Sequence, residues 1–167
     1  MKLNELITTR RSIRKYQNKP LDRDALDAVL EAGRLAPSAR NRQDWHFTAV
    51  ENPALRQQLA DACCNQQMVS DAPVALVIWM NAEDVMRCDQ SAATIDGAIA
   101  LSFMMLKATE LGLGTCWLGA FYADKVKAAL ALPNDAIVVA VSPLGWPDES
   151  PAPRPRKSAK EVVDYRV

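Results

Sequence analysis

Histidine is almost missing from this chain of 167 residues, with His46 standing alone. A single imidazole with no evident nucleophile partner argues against a protein-bound zinc and against a triad hydrolase. Cysteine is sparse too. Cys63, Cys64, Cys88 and Cys116 make no C-x-x-C spacing, and the adjacent pair Cys63-Cys64 suits neither a metal site nor a disulfide framework. Glycine-rich phosphate loops are absent: there is no G-x-G-x-x-G and no P-loop, nor is there a G-x-S-x-G or H-E-x-x-H. Gly112, Gly114 and Gly119 follow a predicted helix, the reverse of the strand-to-helix order that a dinucleotide fingerprint needs, so a Rossmann dehydrogenase is disfavoured. No stretch approaches the roughly 20 apolar residues that cross a bilayer, and the start Met1-Lys2-Leu3-Asn4-Glu5 lacks the apolar run of a signal peptide. The expectation is a cytoplasmic protein with no membrane partner. Net charge is missing as well, since 20 Lys and Arg balance 20 Asp and Glu, which excludes a whole-molecule attraction to nucleic acid.

The remaining composition, 49% hydrophobic and 24% charged, is that of an ordinary globular chain, and its length predicts one domain over residues 1–167. Leu3, Leu6 and Ile7 at helical spacing predict a helix over 2–9. Asp22 is a candidate N-cap for a helix over 23–35 whose Leu26, Val29, Leu30 and Gly33 form one stripe. Strands are predicted over 46–50, 74–80, 115–121, 136–141 and 161–165, and further helices over 54–63, 95–111 and 123–130. Two of these segments are apolar beyond the usual pattern. Val74–Met80 reads as a strand covered on both faces, and the helix over 95–111 is apolar almost all round, which places it at the centre of the protein or at a large interface. Gly112 is its predicted C-cap. The fold class is α+β: a central mixed, largely antiparallel sheet of four to five strands with helices on both sides.

Two basic clusters stand at opposite ends. Thr9-Arg10-Arg11-Ser12-Ile13-Arg14-Lys15-Tyr16 carries four cations and a hydroxyl, with Ile13 and Tyr16 able to tie it to a core; Arg154-Pro155-Arg156-Lys157 lies in a stiff, proline-studded stretch. A terminal phosphate with close to two negative charges needs several charge-assisted hydrogen bonds, and arginine forks match it best. Both clusters gripping one phosphorylated cofactor is the central expectation; solvated surface is the alternative.

The cluster Arg10-Arg11-Ser12-Ile13-Arg14-Lys15-Tyr16, followed by Ala36-Pro37-Ser38-Ala39-Arg40-Asn41-Arg42-Gln43-Asp44-Trp45-His46-Phe47, resembles the N-terminal signature of the flavin-dependent nitroreductase family. The resemblance continues through Asn65–Pro73 and Gly112-Leu113-Gly114-Thr115-Cys116-Trp117-Leu118-Gly119 into Pro153–Lys157 with Glu161-Val162-Val163. It spans nearly the whole chain in order.

That resemblance implies FMN at the interface of a homodimer, with NADH or NADPH as electron donor. Arg10, Ser12, Arg154 and Arg156 are expected to hold the phosphate together with Arg11 nearby, and Arg14 to reach the N1 and O2 side of the ring system, where a cation raises the flavin's potential. Pro37, Ser38 and Ala39 would come from the partner subunit, with Asn41 and Gln43 close by. Asn65 would meet the pyrimidine edge, and Leu118 and Gly119 would present backbone N–H groups. The terminal strand Glu161–Tyr165 would add to the partner's sheet. The implied reaction is ping-pong hydride transfer to a nitroaromatic, quinone or other electron-poor small molecule, carried by stacking and proximity, with no catalytic side chain and no metal. A specialised conjugated or halogenated substrate, free flavin, and a non-catalytic FMN-binding role are the alternatives. Asp44 stands where many relatives place proline, and Met68 where some longer members carry lysine.

Overall fold

The computed structural model describes residues 2–81 and 83–167; Met1 and Ala82 lie outside the described residues. A four-stranded sheet in the order β1-β2-β4-β3 is built from β1 (Trp45–Val50), β2 (Val74–Met80), β3 (Gly114–Thr115) and β4 (Ile137–Gly145). Every ladder is antiparallel. The expected largely antiparallel sheet is found with four strands, and its parallel element is an isolated bridge between Ser12 and Thr115. Helices α1 (Leu3–Thr9), α2 (Arg23–Arg34), α3 (Pro53–Ala62), α4 (Met68–Asp71), α5 (Ala92–Glu110), α6 (Ala123–Leu130) and α7 (Ala159–Val162) complete the chain.

The period of two in β2 divides its apolar run between two cores. Val74, Leu76 and Ile78 pack with Leu26 and Val29 of α2 and with Leu101, Met104 and Met105 of α5. Ala75 and Val77 meet Leu59 and Ala60 of α3, Val69 of α4 and Val126 of α6 on the other side. The strand is covered on both faces, as its composition predicts. Helix α5 is long and apolar enough by composition to cross a membrane, which corrects the reading that no stretch approaches that length; half of its most apolar window is buried inside the protein, against α2 and the sheet.

Strand β4 runs on to Gly145, past its predicted end at Val141, and three other boundaries move, each for a local reason. Helix α5 begins at Ala92 because the Ser91 hydroxyl accepts from Thr94 N–H at 3.0 Å, an N-cap that precedes the apolar pattern. The predicted strand over 115–121 stops at Thr115; the chain returns to the sheet only where Leu118 bridges Val141. Glu161 and Val162 are helical, not extended, since the Ser158 N–H and hydroxyl both donate to the Glu161 carboxylate at 2.8 Å in a capping box.

The N-terminal segment owes its position to two anchors. Ile13 and Tyr16 are buried, Ile13 N–H donates to the Thr115 carbonyl at 2.9 Å, and Gln17 N–H donates to the Trp146 carbonyl at 2.9 Å. Asp148 N–H answers with a bond to the Lys15 carbonyl at 2.9 Å. Residues 12–17 therefore run beside β3 and the exit of β4. Chain order then brings the proline-rich stretch past α1.

Candidate functional site

That path brings both basic clusters to one hollow. Arg10, Arg11, Ser12 and Arg14 line a cavity of about 450 Å3 together with Ile7, Pro153, Arg154 and Arg156. The two ends of the sequence thus meet within a single chain, through the docking of residues 12–17 on the β4 exit. No carboxylate lines the cavity, and among the described residues none of these five arginines makes a salt bridge. Guanidiniums converging without a counter-ion repel one another, and a multiply charged anion relieves that repulsion. The donor set fits a phosphate monoester.

The five arginines are not equivalent. Arg11 donates from Nη1 to the carbonyls of Thr8 at 2.7 Å and Arg10 at 2.9 Å, so it closes the C-terminal end of α1 where carbonyls lack partners. Arg14 N–H is held by the Glu149 carboxylate, which fixes the backbone from which its exposed guanidinium projects. Arg10 and Ser12 also face a second hollow of about 420 Å3, floored by Ser102, Met105, Leu106 and Trp117.

Asn65 and the 118–119 segment are neighbours. Gln66 donates from Nε2 to the carbonyls of Cys63 at 2.9 Å and Ala120 at 3.3 Å, and Tyr122 N–H donates to Ala62 at 2.9 Å, tying the α3–α4 turn to the chain after Gly119. Cys64 and Asn65 both take positive φ, 58° and 60°, so Asn65 sits exposed at the tip of a tight left-handed turn. Leu118 departs from expectation. It is buried, and its N–H donates to the Val141 carbonyl at 2.9 Å, so sheet pairing has consumed the group expected to face a ligand. Gly119 is exposed, and a Cβ there would meet nothing within 4 Å. Thr115, beside Ser12, and Gly119 lie within about 13 Å along an extended backbone, which joins this region to the arginine cavity.

Pro37, Ser38, Ala39, Asn41 and Gln43 are elsewhere. They form the α2–β1 loop, where Ala39 N–H is bound by Asp96 in the first half of α5, whereas the cavity side of that helix is at Met105, about 13 Å further along its axis. Within one chain they do not line the arginine cavity. Gln43 instead borders a groove between α2 and β1 with Trp45, His46 and Phe47.

Arg42 is unavailable to a ligand, because its guanidinium bridges the carboxylates of Asp44, at 2.7 Å, and Asp84. Asp44 thereby has a partner of its own. Met68 is half-buried against the Leu59 and Val69 side and beside Ile13 and Tyr16, which leaves it a packing role. Sequence reasoning missed Glu149 and Asp96. Glu149 gave no signal, but an acid in an otherwise apolar helix half was visible and unused.

The four thiols are free. Burial pushes the Cys63 thiol up to about 12. Burial also raises Cys116, against the pull of Arg14 and the Ser12 hydroxyl beside it. Since the thiolate is the reactive form, a chromogenic disulfide at about pH 8 reacts promptly only with exposed Cys64 and Cys88. Cys63 and Cys116 react after denaturation; four equally fast thiols would contradict the burial.

The chain matches the profile of the Nitroreductase family over residues 7–73 and 63–146. It is 34% identical over 164 residues to a "Putative NADH dehydrogenase/NAD(P)H nitroreductase" of Methanothermobacter thermautotrophicus, covering 92% of this chain and 82% of that protein. It is 30% identical over 172 residues to an "NADPH-flavin oxidoreductase" of Vibrio harveyi, covering 95% and 71%. Among solved structures, a nitroreductase family protein from Clostridium novyi NT superposes with a TM-score of 0.84 at 35% identity, over 90% of this chain and 87% of that one.

Proposed function

Because this chain belongs to the nitroreductase family, we propose that it is an FMN-dependent NAD(P)H oxidoreductase acting on nitroaromatics, quinones or related electron-poor small molecules. The observation that carries the reading is the meeting of Arg10, Ser12, Arg14, Arg154 and Arg156 around one carboxylate-free cavity. Arg10, Arg154, Arg156 and Ser12 would hold the FMN phosphate, Arg14 would face the ring, and Gly119 would offer an N–H with no side chain in the way. When bound, FMN supplies a two-electron carrier between a nicotinamide donor and the acceptor. The chain's part is to bind, orient and set the local charge. Donor and acceptor taking the same place in turn gives ping-pong kinetics.

The site is complete as a homodimer. Separation of the Pro37–Gln43 loop from the arginine cavity within one chain supports a second copy as the source of that loop. Exposed Leu3, Ile7, Phe103 and Trp117, and a C-terminal tail with Tyr165 at 86% exposure, supply an apolar face for the partner to cover. A cytoplasmic location accords with these readings.

The test is an absorption spectrum of the purified protein, followed by NADH or NADPH addition without oxygen. A flavin band that bleaches with either donor is expected. A colourless protein that takes up no FMN sinks the reading, and a yellow one that neither donor bleaches reduces it to flavin binding without catalysis.

A further inference from the structure

The α2–β1 loop is held in a shape its residues do not favour. Arg40, Asn41 and Gln43 have φ of 54°, 55° and 56°, left-handed values that asparagine tolerates but that cost Arg40 and Gln43 about 1–2 kcal/mol each. Such a conformation persists only where its surroundings over-determine it. Here they do so from three sides. Both oxygens of the Asp96 carboxylate accept from Ala39 N–H, each at 3.0 Å, and Asp96 is only 5% exposed. Ser38 Oγ accepts from Gln43 N–H at 3.1 Å, closing the loop on itself. Arg42, clamped between Asp44 and Asp84, fixes its far end.

We infer that Asp96 is a positioning residue which pre-organises the Pro37–Gln43 loop for the flavin that a second copy of the chain binds; the inference rests on the shared FMN site proposed above. A buried carboxylate whose hydrogen-bonded protein partner is one backbone N–H is a costly way to hold a loop. Its use here is explained when the loop must be rigid before ligand arrives, so that binding does not bear the cost of ordering it. The exposed Asn41 amide, which no hydrogen bond engages among the described residues, is the side chain this arrangement holds outward.

Asp96→Asn keeps the volume and one acceptor oxygen but exchanges a charge-assisted bond for a neutral one; Asp96→Ala removes the acceptor. FMN dissociation constants would be measured by flavin fluorescence on dialysed full-length protein well below the thermal midpoint, with light scattering to confirm the dimer. Binding about tenfold weaker in Asp96→Asn, and weaker again in Asp96→Ala, with the dimer retained, is expected. A purely structural carboxylate would lower the thermal midpoint and leave the dissociation constant alone. If Asp96→Ala does not fold, the Asn variant decides. Wild type that binds FMN beside an Asp96→Asn dimer that binds within about twofold overturns this inference alone; wild type that binds no FMN overturns the flavin reading and this inference with it.

Discussion

Replacing Arg10 with alanine is expected to weaken FMN binding by about a hundredfold, and Arg154→Ala to do the same, where the two guanidiniums hold the phosphate as proposed. A hydrogen bond to a charged group contributes about 1.5–3 kcal/mol, and every 1.4 kcal/mol is tenfold in affinity. A guanidinium fork on phosphate makes two such bonds, partly offset by water that replaces it. Arg10→Lys keeps the charge and loses the fork, so it recovers only part of the affinity. Because both arginines line one cavity from opposite ends of the chain, the double variant should lose less than the two single losses combined, as expected of groups sharing one ligand. Affinity should also fall as salt screens the cavity and as pH drops through about 6, where a phosphate monoester takes up its second proton. Flavin retained on dialysis and fluorescence titration give the numbers. A folded Arg10→Ala protein with wild-type affinity would remove the cavity from consideration as the phosphate site.

Much of this arrangement was legible in advance where one local rule dominated. Helix α6, bounded by Ala123 and Leu130, is found at its predicted limits, Gly112 takes the positive φ of 75° expected of a helix C-cap, and Val74–Met80 is the doubly covered strand its composition describes. Ile13 and Tyr16 are the buried anchors that their spacing suggested, on either side of exposed Arg14 and Lys15. What was not legible depended on competition between signals. Val162 and Val163 favour a strand, but Ser158 three residues before Glu161 makes a capping box that wins over the first part of that run. Thr115 begins a β-prone run, yet only a two-residue ladder with Gly145 and Leu144 forms before the chain turns away. The use of Leu118 N–H by Val141 could not be foreseen, because it depends on a long-range bridge rather than on any neighbour in sequence. Nor could the meeting of the two arginine clusters inside one chain. It follows from hydrogen bonds between residues 13–17 and residues 115, 146 and 148, whose partners are separated by most of the sequence.

That docking makes Gly114 the position where stability and ligand binding are joined, and Gly114→Ala is expected to harm both. A Cβ at Gly114 would lie 2.8 Å from Cβ, Cγ1 and Cγ2 of Ile13. Ile13 is β-branched and stiff at χ1, so all three atoms must move with its backbone. At Gly33 a Cβ meets Met104 Cε at 2.0 Å, Cγ at 2.9 Å and Sδ at 3.2 Å, nominally worse, but Met104 is unbranched, with three rotatable bonds through which those atoms can shift. Overpacking of a rigid contact costs about 1–3 kcal/mol, and the movement that relieves it carries Ser12 and Arg14 away from the cavity they line. We expect a lower thermal midpoint, by about 2–12 °C for that cost in a chain of this size, together with FMN binding about tenfold weaker, a loss of one charge-assisted bond. Gly119→Ala, where a Cβ meets open space, should leave the midpoint unchanged. A Gly114→Ala protein with unchanged midpoint and affinity would mean that residues 12–14 are not locked to β3. A lower midpoint with unchanged FMN binding would mean that the lock sets stability but not the position of the arginines.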